Sequence, residues 1–272
     1  MIRKSLLHFT LFLFAAITLI PMWVMMVGSL QEKASNIGLK EIWPDFSRLT
    51  LQNYISVWTE GNFAQYFINS LIVTIAITLA NVLFDSMAAY ALARRNFRGR
   101  GVLMGVILGK LMIPAAVLIV PTFIVVREIH LYDTHLALIL PLIAETFGIF
   151  LLRQYMLSLP ISLEEAARLE GASDWRIFFT IIMPLCKPAL AVVIIHSVMT
   201  SWNAYIYPLI LTSSDSMRTL PLGIAFYRAS HSGVDSGHLL AASMIASLPI
   251  IVVFLIFQKK IISGLTKGAV KG

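Results

Sequence analysis

Apolar residues fall into six long runs along this 272-residue chain, and short polar segments separate the runs. A helix needs about 20 consecutive apolar residues to cross the hydrocarbon core of a bilayer. Six runs have roughly that length: residues 9–30, 66–93, 102–126, 135–157, 186–211 and 239–262. The pattern therefore predicts an all-α integral membrane protein, in which residues 1–272 form a single transmembrane domain with six transmembrane helices.

The composition supports the membrane class. Hydrophobic residues make up 58% of the chain and charged residues 13%, whereas a soluble domain carries about 25% charged residues. The net charge of +7 does not indicate nucleic-acid binding, because the basic residues lie between the apolar runs. The single cysteine, Cys186, excludes an intrachain disulfide, and the sequence holds no Cys/His cluster with metal-ligand spacing. We therefore expect this chain to bind no metal and no cofactor.

The first apolar run allows two interpretations. Arg3 and Lys4 precede it, as basic residues precede the core of a signal peptide. The run from Phe9 to Val27 is, however, close to bilayer-spanning length, and no A-x-A cleavage site follows it. We favour an uncleaved first transmembrane helix.

Basic residues in the loops predict the orientation. Arginines crowd the loop after the second run, and lysines follow the last run: Arg94, Arg95, Arg98, Arg100, Lys259, Lys260, Lys267 and Lys271. With six spans, both termini and the arginine-rich loop share one side, which the excess of positive charge identifies as the cytoplasm. The same geometry places a charged segment at 160–185, between the fourth and fifth runs, in the cytoplasm. The tail at 263–272 falls on that side too.

The segment at 160–185 has the pattern of two short helices joined by a turn. Ser162 lies three residues before Glu165, which is a capping-box pattern. It predicts a short helix over about 163–169. Gly171 then suits a left-handed C-cap that ends this helix.

A second helical stretch is predicted after the turn, with Ser173 or Asp174 as its N-cap. Phe178, Ile181 and Ile182 follow at the i, i+3, i+4 spacing of one helix face. The segment is therefore predicted to be a helix–turn–helix outside the membrane.

The residue pattern of the first short helix leaves its role open. Ala166 and Ala167 give it a face of small side chains that another surface can approach closely. Glu164 and Arg168 are i,i+4 neighbours and can pair on its surface. The alternative is a plain surface loop, in which Glu165 only caps the helix and the apolar side chains lie against the bilayer interface.

The same segment meets a spaced motif of E-A-A, three residues, Gly, nine residues, Ile, one residue, a hydrophobic residue and Pro. The matching residues are Glu165, Ala166, Ala167, Gly171, Ile181, Met183 and Pro184. This resembles the EAA motif of the membrane subunits of binding-protein-dependent ABC importers, with Met183 where the family usually has Leu and Glu170 where its sugar branch usually has Asp. In that family the segment is the coupling helix, which docks in a cleft of the cytoplasmic ATPase. The resemblance implies an ATPase-coupling role for these residues and for Ala172.

Further stretches are similar to the carbohydrate branch of this family, and within it to the shorter, maltose-type permease subunit. They lie at 69–70, 88–94, 151–155, 202–203 and 264–272. The resemblance implies a heteromeric sugar importer of the bacterial cytoplasmic (inner) membrane. Its other members would be a second homologous permease subunit, two cytoplasmic ABC ATPase subunits and an extracytoplasmic sugar-binding protein. The resemblance also implies that Lys267, Gly268 and Lys271 of the tail contact the ATPase.

The sequence lacks a phosphate-binding loop of its own. Gly109 and Lys110 lie inside an apolar run and lack the upstream glycine of the G-x-x-x-x-G-K-[ST] pattern. We therefore expect no enzymatic activity from this chain, with ATP and Mg²⁺ used by a partner ATPase. Two alternatives belong to other classes. A self-sufficient secondary transporter or channel would explain the intramembrane charges, but the halves show no inverted repeat. A membrane enzyme lacks a nucleophile–base or metal constellation.

Polar residues within the apolar runs are candidates for the substrate path. Each charge near the bilayer centre costs about 2.5–3.5 kcal/mol on insertion scales, and such residues usually face a bundle interior or a water-filled path. Asp85, Lys110 and Glu145 qualify, although Lys110 can equally pair with Asp85 and Glu145 can equally contact another helix. Phe147 offers a ring on which a sugar can stack. Asn203 can line the path or bond a neighbouring helix. Three prolines are expected to kink their helices: Pro114, Pro121 and Pro141.

Overall fold

A computed structural model describes residues 2–32, 43, 45–59, 62–230 and 236–269. Within these residues the helices are α1 (Ile2–Ser29), α2 (Gln52–Thr59), α3 (Phe63–Arg94), α4 (Arg100–Met112), α5 (Ala115–Glu128), α6 (His135–Ile139), α7 (Thr146–Leu157), α8 (Ser162–Leu169), α9 (Asp174–Ile177), α10 (Met183–Leu185), α11 (Lys187–Trp202), α12 (Ile206–Leu211), α13 (Leu220–Ser230) and α14 (Ser236–Ala269). A π-helical turn, Phe178–Ile182, joins α9 to α10. The prediction of an all-α protein is confirmed.

Among the described residues, four helical segments are long and apolar enough to cross a membrane, and the number rises to six if each of two bent pairs counts as one span. The four segments are Lys4–Ser29, Phe63–Arg94, His135–Leu157 and Ser236–Gln258. One bent pair is α4 with α5, at 109°, and the other is Asp174–Leu185 with α11, at 80°. The chain therefore has between four and six candidate spans.

The predicted span over 102–126, with its expected kink at Pro114, is divided between α4 and α5, because the chain breaks at Ile113 and Pro114. Ile113 has φ −86° and ψ 120°, and Pro114 has φ −58° and ψ 133°, so both are extended. Proline lacks the N–H of a continuous helix and forces the residue before it out of the helical region. Pro121 lies within α5, and Pro141 lies in the 3₁₀ turn that follows α6.

The predicted span over 186–211 is likewise divided between two helices. The helix α11 ends at Trp202, and α12 follows as a separate helix. Pro208 supplies a physical reason, since in a continuous helix its ring would clash with the carbonyl of Ala204 four residues earlier. Asn203 is therefore the C-cap of α11 and not a residue inside a span.

The chain divides into two compact units. The first comprises Met1–Phe67 and Leu220–Pro249. Within it the Asn53 side chain ties α2 to the end of α1, because its amide donates to the carbonyls of Ser29 (2.9 Å) and Gln31 (2.8 Å).

The second unit comprises Ile68–Thr219 and Ile250–Gly272, and it holds the candidate functional residues. Its main core brings the C-terminal part of α3 together with α7, α8, α9 and α11. The largest fully buried members of this core are Leu152, Met156, Ile177, Phe178 and Ile182. This core fixes the short helices α8 and α9 relative to the end of α3.

Candidate functional site

The segment expected to couple to an ATPase folds as α8, a turn and α9. Gly171 closes α8 with a left-handed φ of 79°. Its N–H donates to the Arg168 carbonyl (2.9 Å), and the N–H of Ala172 donates to the Ala167 carbonyl (2.9 Å). These two bonds form a Schellman cap, so the predicted left-handed C-cap is confirmed.

The start of α8 differs from the prediction. The capping box of Ser162 and Glu165 is wrong, because Ser162 is already the first helical residue and Ile161 is the N-cap. The backbone N–H groups of Glu164 and Glu165 both donate to the Ile161 carbonyl, at 2.9 and 3.1 Å. The helix thus begins on backbone bonds, and the Glu165 side chain lies exposed.

Glu164 is the buried acid of this segment, with a side chain only 2% exposed. Its Oε1 lies 3.0 Å from Nε of Arg94, the last residue of α3, whose side chain is 7% exposed. The Tyr90 hydroxyl donates to Glu164 Oε2 (3.2 Å). The predicted surface pair with Arg168 is only a secondary contact of 3.7 Å, because α8 turns this acid toward α3.

A second ion pair joins the residue after α3 to the start of α9. Nη2 of Arg95 lies 2.6 Å from Asp174 Oδ1 and donates to the Tyr90 hydroxyl (2.8 Å). Burial acts to lower the pKa of Arg95, but the hydrogen bond to Asp174 and the neighbouring Tyr90 raise it above its usual value. The guanidinium therefore stays charged. The Arg95–Asp174 ion pair and the buried Glu164–Arg94 pair together anchor both short helices to the end of α3.

The apolar side of α9 completes this anchor. Ser173 caps α9 by accepting a backbone N–H from its first turn, which decides between the two predicted caps, Ser173 and Asp174. Phe178 and Ile182 are buried, so the predicted apolar face is confirmed at these positions. Ile181 is only half-buried, because the π-helical turn changes the angular spacing of the side chains.

The opposite side of α8 is uncovered. Leu169 is 91% exposed, and Glu165 and Ala166 are exposed beside it. Ala167 is buried, so the predicted face of small side chains is divided between the two sides of the helix. We call Glu165, Ala166 and Leu169 the exposed face of α8. A large apolar side chain this exposed, beside a charged one, is what a docking surface offers.

Among the described residues of the second unit, two cavities are lined by Glu145. Lys110, Glu145 and Phe147 all line the first, which has a volume of about 610 Å³. The second has a volume of about 400 Å³ and shares Glu145 with the first. Three of the five substrate-path candidates therefore meet at one cavity.

The other two candidates lie apart from these walls. Asp85 is fully buried, and its Oδ1 accepts the Glu145 N–H (2.8 Å). A Cβ added to Gly148 would collide with this carboxylate, so the glycine makes room for it. Asp85 thus ties α3 to the start of α7 instead of pairing with Lys110. Asn203 donates its amide back to its own helix.

Sequence reasoning missed His196 and used Arg94 and Arg95 only for orientation. Nε2 of His196 lies 3.1 Å from Glu145 Oε2, and its ring centroid lies 4.5 Å from that of Phe147. The signal was available, since an ionisable side chain in an apolar run is a functional candidate by default.

The tail residues can be placed only in part. Lys267 and Gly268 fall in the last turns of α14, where the structure describes only the backbone. Lys271 lies outside the described residues. Among the residues that the structure describes, no group of three or more His, Cys, Asp or Glu side chains is arranged to hold a metal ion.

These features define a class: a multi-pass helical membrane protein that carries two short helices anchored at the end of one span. Residues 85–267 match the family described as "Binding-protein-dependent transport system inner membrane component". The chain belongs to this family. It is therefore a permease subunit of an ABC importer in the inner membrane, and ATP hydrolysis resides in a partner subunit. This excludes both the self-sufficient transporter and the membrane enzyme.

Similar proteins extend over nearly the whole chain. The arabinooligosaccharides transport system permease protein AraQ of Bacillus subtilis is 36% identical over 93% of this chain and 91% of its own. The trehalose/maltose transport system permease protein MalG of Thermococcus litoralis is 34% identical over 100% of this chain and 98% of its own. A crystal structure of a bacterial ABC transporter involved in the import of alginate matches with a TM-score of 0.82 at 25% identity, over 95% and 96% of the two chains.

Proposed function

We propose that this chain forms half of the translocation path of an importer for a sugar or oligosaccharide. Its relatives support a carbohydrate: one transports arabinooligosaccharides, another trehalose and maltose, and the structural neighbour imports alginate, an acidic polysaccharide. An extracytoplasmic binding protein delivers the sugar, and a second homologous permease subunit supplies the other half of the path.

The proposed topology has six spans: the four long helical segments, the bent pair of α4 and α5 counted as one span, and α11. Both termini, the arginine-rich loop after α3 and the helices α8 and α9 then lie in the cytoplasm. The positive-inside rule supports this orientation, because Arg94 ends α3 and Arg95, Arg98 and Arg100 follow it within six residues.

In this proposal the exposed face of α8 docks on the ATPase. The observation that supports this docking is that α8 has one buried side and one exposed side. One side buries Glu164 against Arg94 at the end of a candidate span. The other side presents Glu165 and Leu169. A push on the exposed face is therefore passed directly to α3. In the rest of the segment, Gly171 forms the cap of α8, Ala172 and Ile181 pack half-buried against the core, and Pro184 lies exposed in α10.

Two ATPase subunits bind ATP and Mg²⁺. They then move toward each other into the closed arrangement in which ATP is hydrolysed. Their motion draws the coupling helices together and opens the path toward the binding protein. We assign the tail residues Lys267, Gly268 and Lys271 to the same ATPase contact. Within the path, Glu145, Phe147 and Lys110 form the wall of one cavity, with Asp85 as support for Glu145 and Asn203 at the end of α11.

The test is a Glu165→Lys variant in the complete importer, reconstituted in liposomes with its binding protein. The variant reverses the charge at the centre of the docking contact without touching the buried anchor. We expect an assembled complex whose sugar uptake and sugar-stimulated ATP hydrolysis both fall at least about tenfold, since misplaced charge in a contact costs several kcal/mol.

Glu128→Lys makes the same charge change at an exposed residue that ends α5, and it serves as the matched control. Sugar-stimulated ATP hydrolysis at the normal rate in Glu165→Lys would refute the coupling role. A wild-type complex that moves no sugar would refute the proposed substrate class.

A further inference from the structure

The two cavities of the second unit meet at Glu145. Their volumes, about 610 and 400 Å³, fall within the range of small-molecule sites. Both cavities are lined by Ala115, Leu142, Glu145 and Tyr207. Glu145 is the acidic member of this shared wall, so its carboxylate can be reached from either side.

Glu145 is held in place at its backbone and at its carboxylate. The N–H of the residue donates to buried Asp85, which fixes its backbone at the start of α7. Its Oε2 lies 3.1 Å from Nε2 of His196 on α11, and the imidazole in turn packs against Phe147. A carboxylate fixed in this way is pre-organised for a ligand, because little side-chain freedom is left to lose on binding.

Partial exposure distinguishes this pair from an ion pair that only joins two helices. The side chains of Glu145 and His196 are 33% and 35% exposed, whereas the Glu164–Arg94 pair of the anchor is at most 7% exposed. A carboxylate has about four acceptor positions, and His196 occupies one of them. The other positions leave this cavity-lining residue able to accept further hydrogen bonds.

The cavity walls suit a polyhydroxylated ligand. The second cavity adds the hydroxyl-bearing side chains of Thr200, Tyr205 and Tyr207 to Glu145, and its other lining residues are mostly apolar. Hydroxyl groups of a sugar can donate to the carboxylate and accept from the two tyrosine hydroxyls. The Thr200 hydroxyl donates to the His196 carbonyl (2.8 Å), so it can accept a hydrogen bond from the sugar. We propose that Glu145, with His196 as its positioning residue, binds hydroxyl groups of the transported sugar, so that this subunit itself discriminates between sugars. The proposal rests on the function proposed above.

The test compares sugar preference in the complete importer with its binding protein. The probes are maltose, trehalose, arabinotriose and diacetylchitobiose, each radiolabelled, with uptake rates measured over a range of concentrations. A site that hydrogen-bonds a substrate hydroxyl discriminates strongly against ligands that lack it. We therefore expect Glu145→Gln to raise KM for the preferred sugar at least about tenfold and to change the uptake ratio between the two best sugars.

His196→Asn should also shift the uptake ratio between the two best sugars. His196→Gln, whose longer side chain can still donate to Glu145, should keep the wild-type ratio. The double variant should be no worse than Glu145→Gln, since the two residues act as one unit. Matched controls are Glu128→Gln, at the exposed end of α5, and His8→Asn, whose ring Nδ1 lies 2.6 Å from the Lys4 carbonyl within α1. An unchanged ratio in Glu145→Gln would overturn the proposal, even where total uptake falls.

A second measurement leaves the pair intact and covers the case in which the variants fail to assemble. Thr200→Cys places a thiol in the second cavity, and the native Cys186 is fully buried and gives little background. The nucleotide-trapped complex is labelled with a small maleimide in the presence and absence of sugar. Slower labelling with sugar is expected, and equal rates would contradict the proposal. A wild-type complex that transports none of the probes would refute the proposed function, and this inference with it.

Discussion

At the scale of single residues, two adjacent glutamates of the proposed coupling segment have opposite surroundings. Glu164 neutralises Arg94 in a buried contact at 3.0 Å, and Glu165 lies on the exposed face of α8. Removing one member of a buried pair leaves an uncompensated charge. We expect Glu164→Ala to destabilise the permease by about 3 kcal/mol, the low end of the range for such pairs, because Arg94 keeps its bond to the Leu159 carbonyl.

The neighbouring change Glu165→Ala is the control, and it should alter stability by no more than about 0.5 kcal/mol because the side chain is exposed. Equilibrium unfolding of both variants in detergent measures the difference. Equal stabilities for the two variants would contradict the assignment of Glu164 as the buried anchor.

At the scale of elements, the turn between α8 and α9 controls how the segment is presented. Gly171 has a φ of 79°, and no atom lies near the position of an added Cβ. A substitution there therefore acts through backbone strain alone. Gly171→Val should strain the turn by about 1–2 kcal/mol, enough to depopulate it roughly 5–30-fold, and should lower sugar uptake several-fold.

Gly171→Asn provides the matched comparison, since asparagine tolerates the left-handed conformation. Sugar uptake in proteoliposomes should rank glycine first, asparagine next and valine last. An equal rate for all three would show that the turn geometry does not matter for coupling.

Local signals made parts of this segment predictable from sequence. The cap residues Gly171 and Ser173 follow from the chemistry of one turn, and so do the short helices around them. The burial of Glu164 does not, because its partner Tyr90 lies 74 residues away and only the packing of α8 on α3 brings them together. The sequence predicts a kink at Pro114, whereas the helix breaks there with a bend of 109°. The size of the bend does not follow from the proline alone, because it depends on what the two halves pack against.

At the scale of the whole molecule, the chain is one subunit of an importer whose ATPase activity resides in a partner subunit. The family match covers residues 85–267, which include both the anchored helices α8 and α9 and Glu145. A rigid connection runs from the exposed face of α8 through Glu164 and Arg94 into α3. The same helix carries Asp85, which holds the backbone of Glu145. One helix thus touches both the coupling site and the cavity wall.

Photo-cross-linking from the exposed face of α8 tests the central claim most directly. Leu169→Cys carries a benzophenone maleimide in the assembled importer, and Ser158→Cys, exposed just beyond the end of α7, is the control position. We expect Leu169→Cys to give a cross-link to the ATPase subunit, identified by mass spectrometry, at a yield well above that of Ser158→Cys. A probe at position 169 that reacts only with lipid or water, while the complex remains assembled, would contradict the docking of α8 on the ATPase.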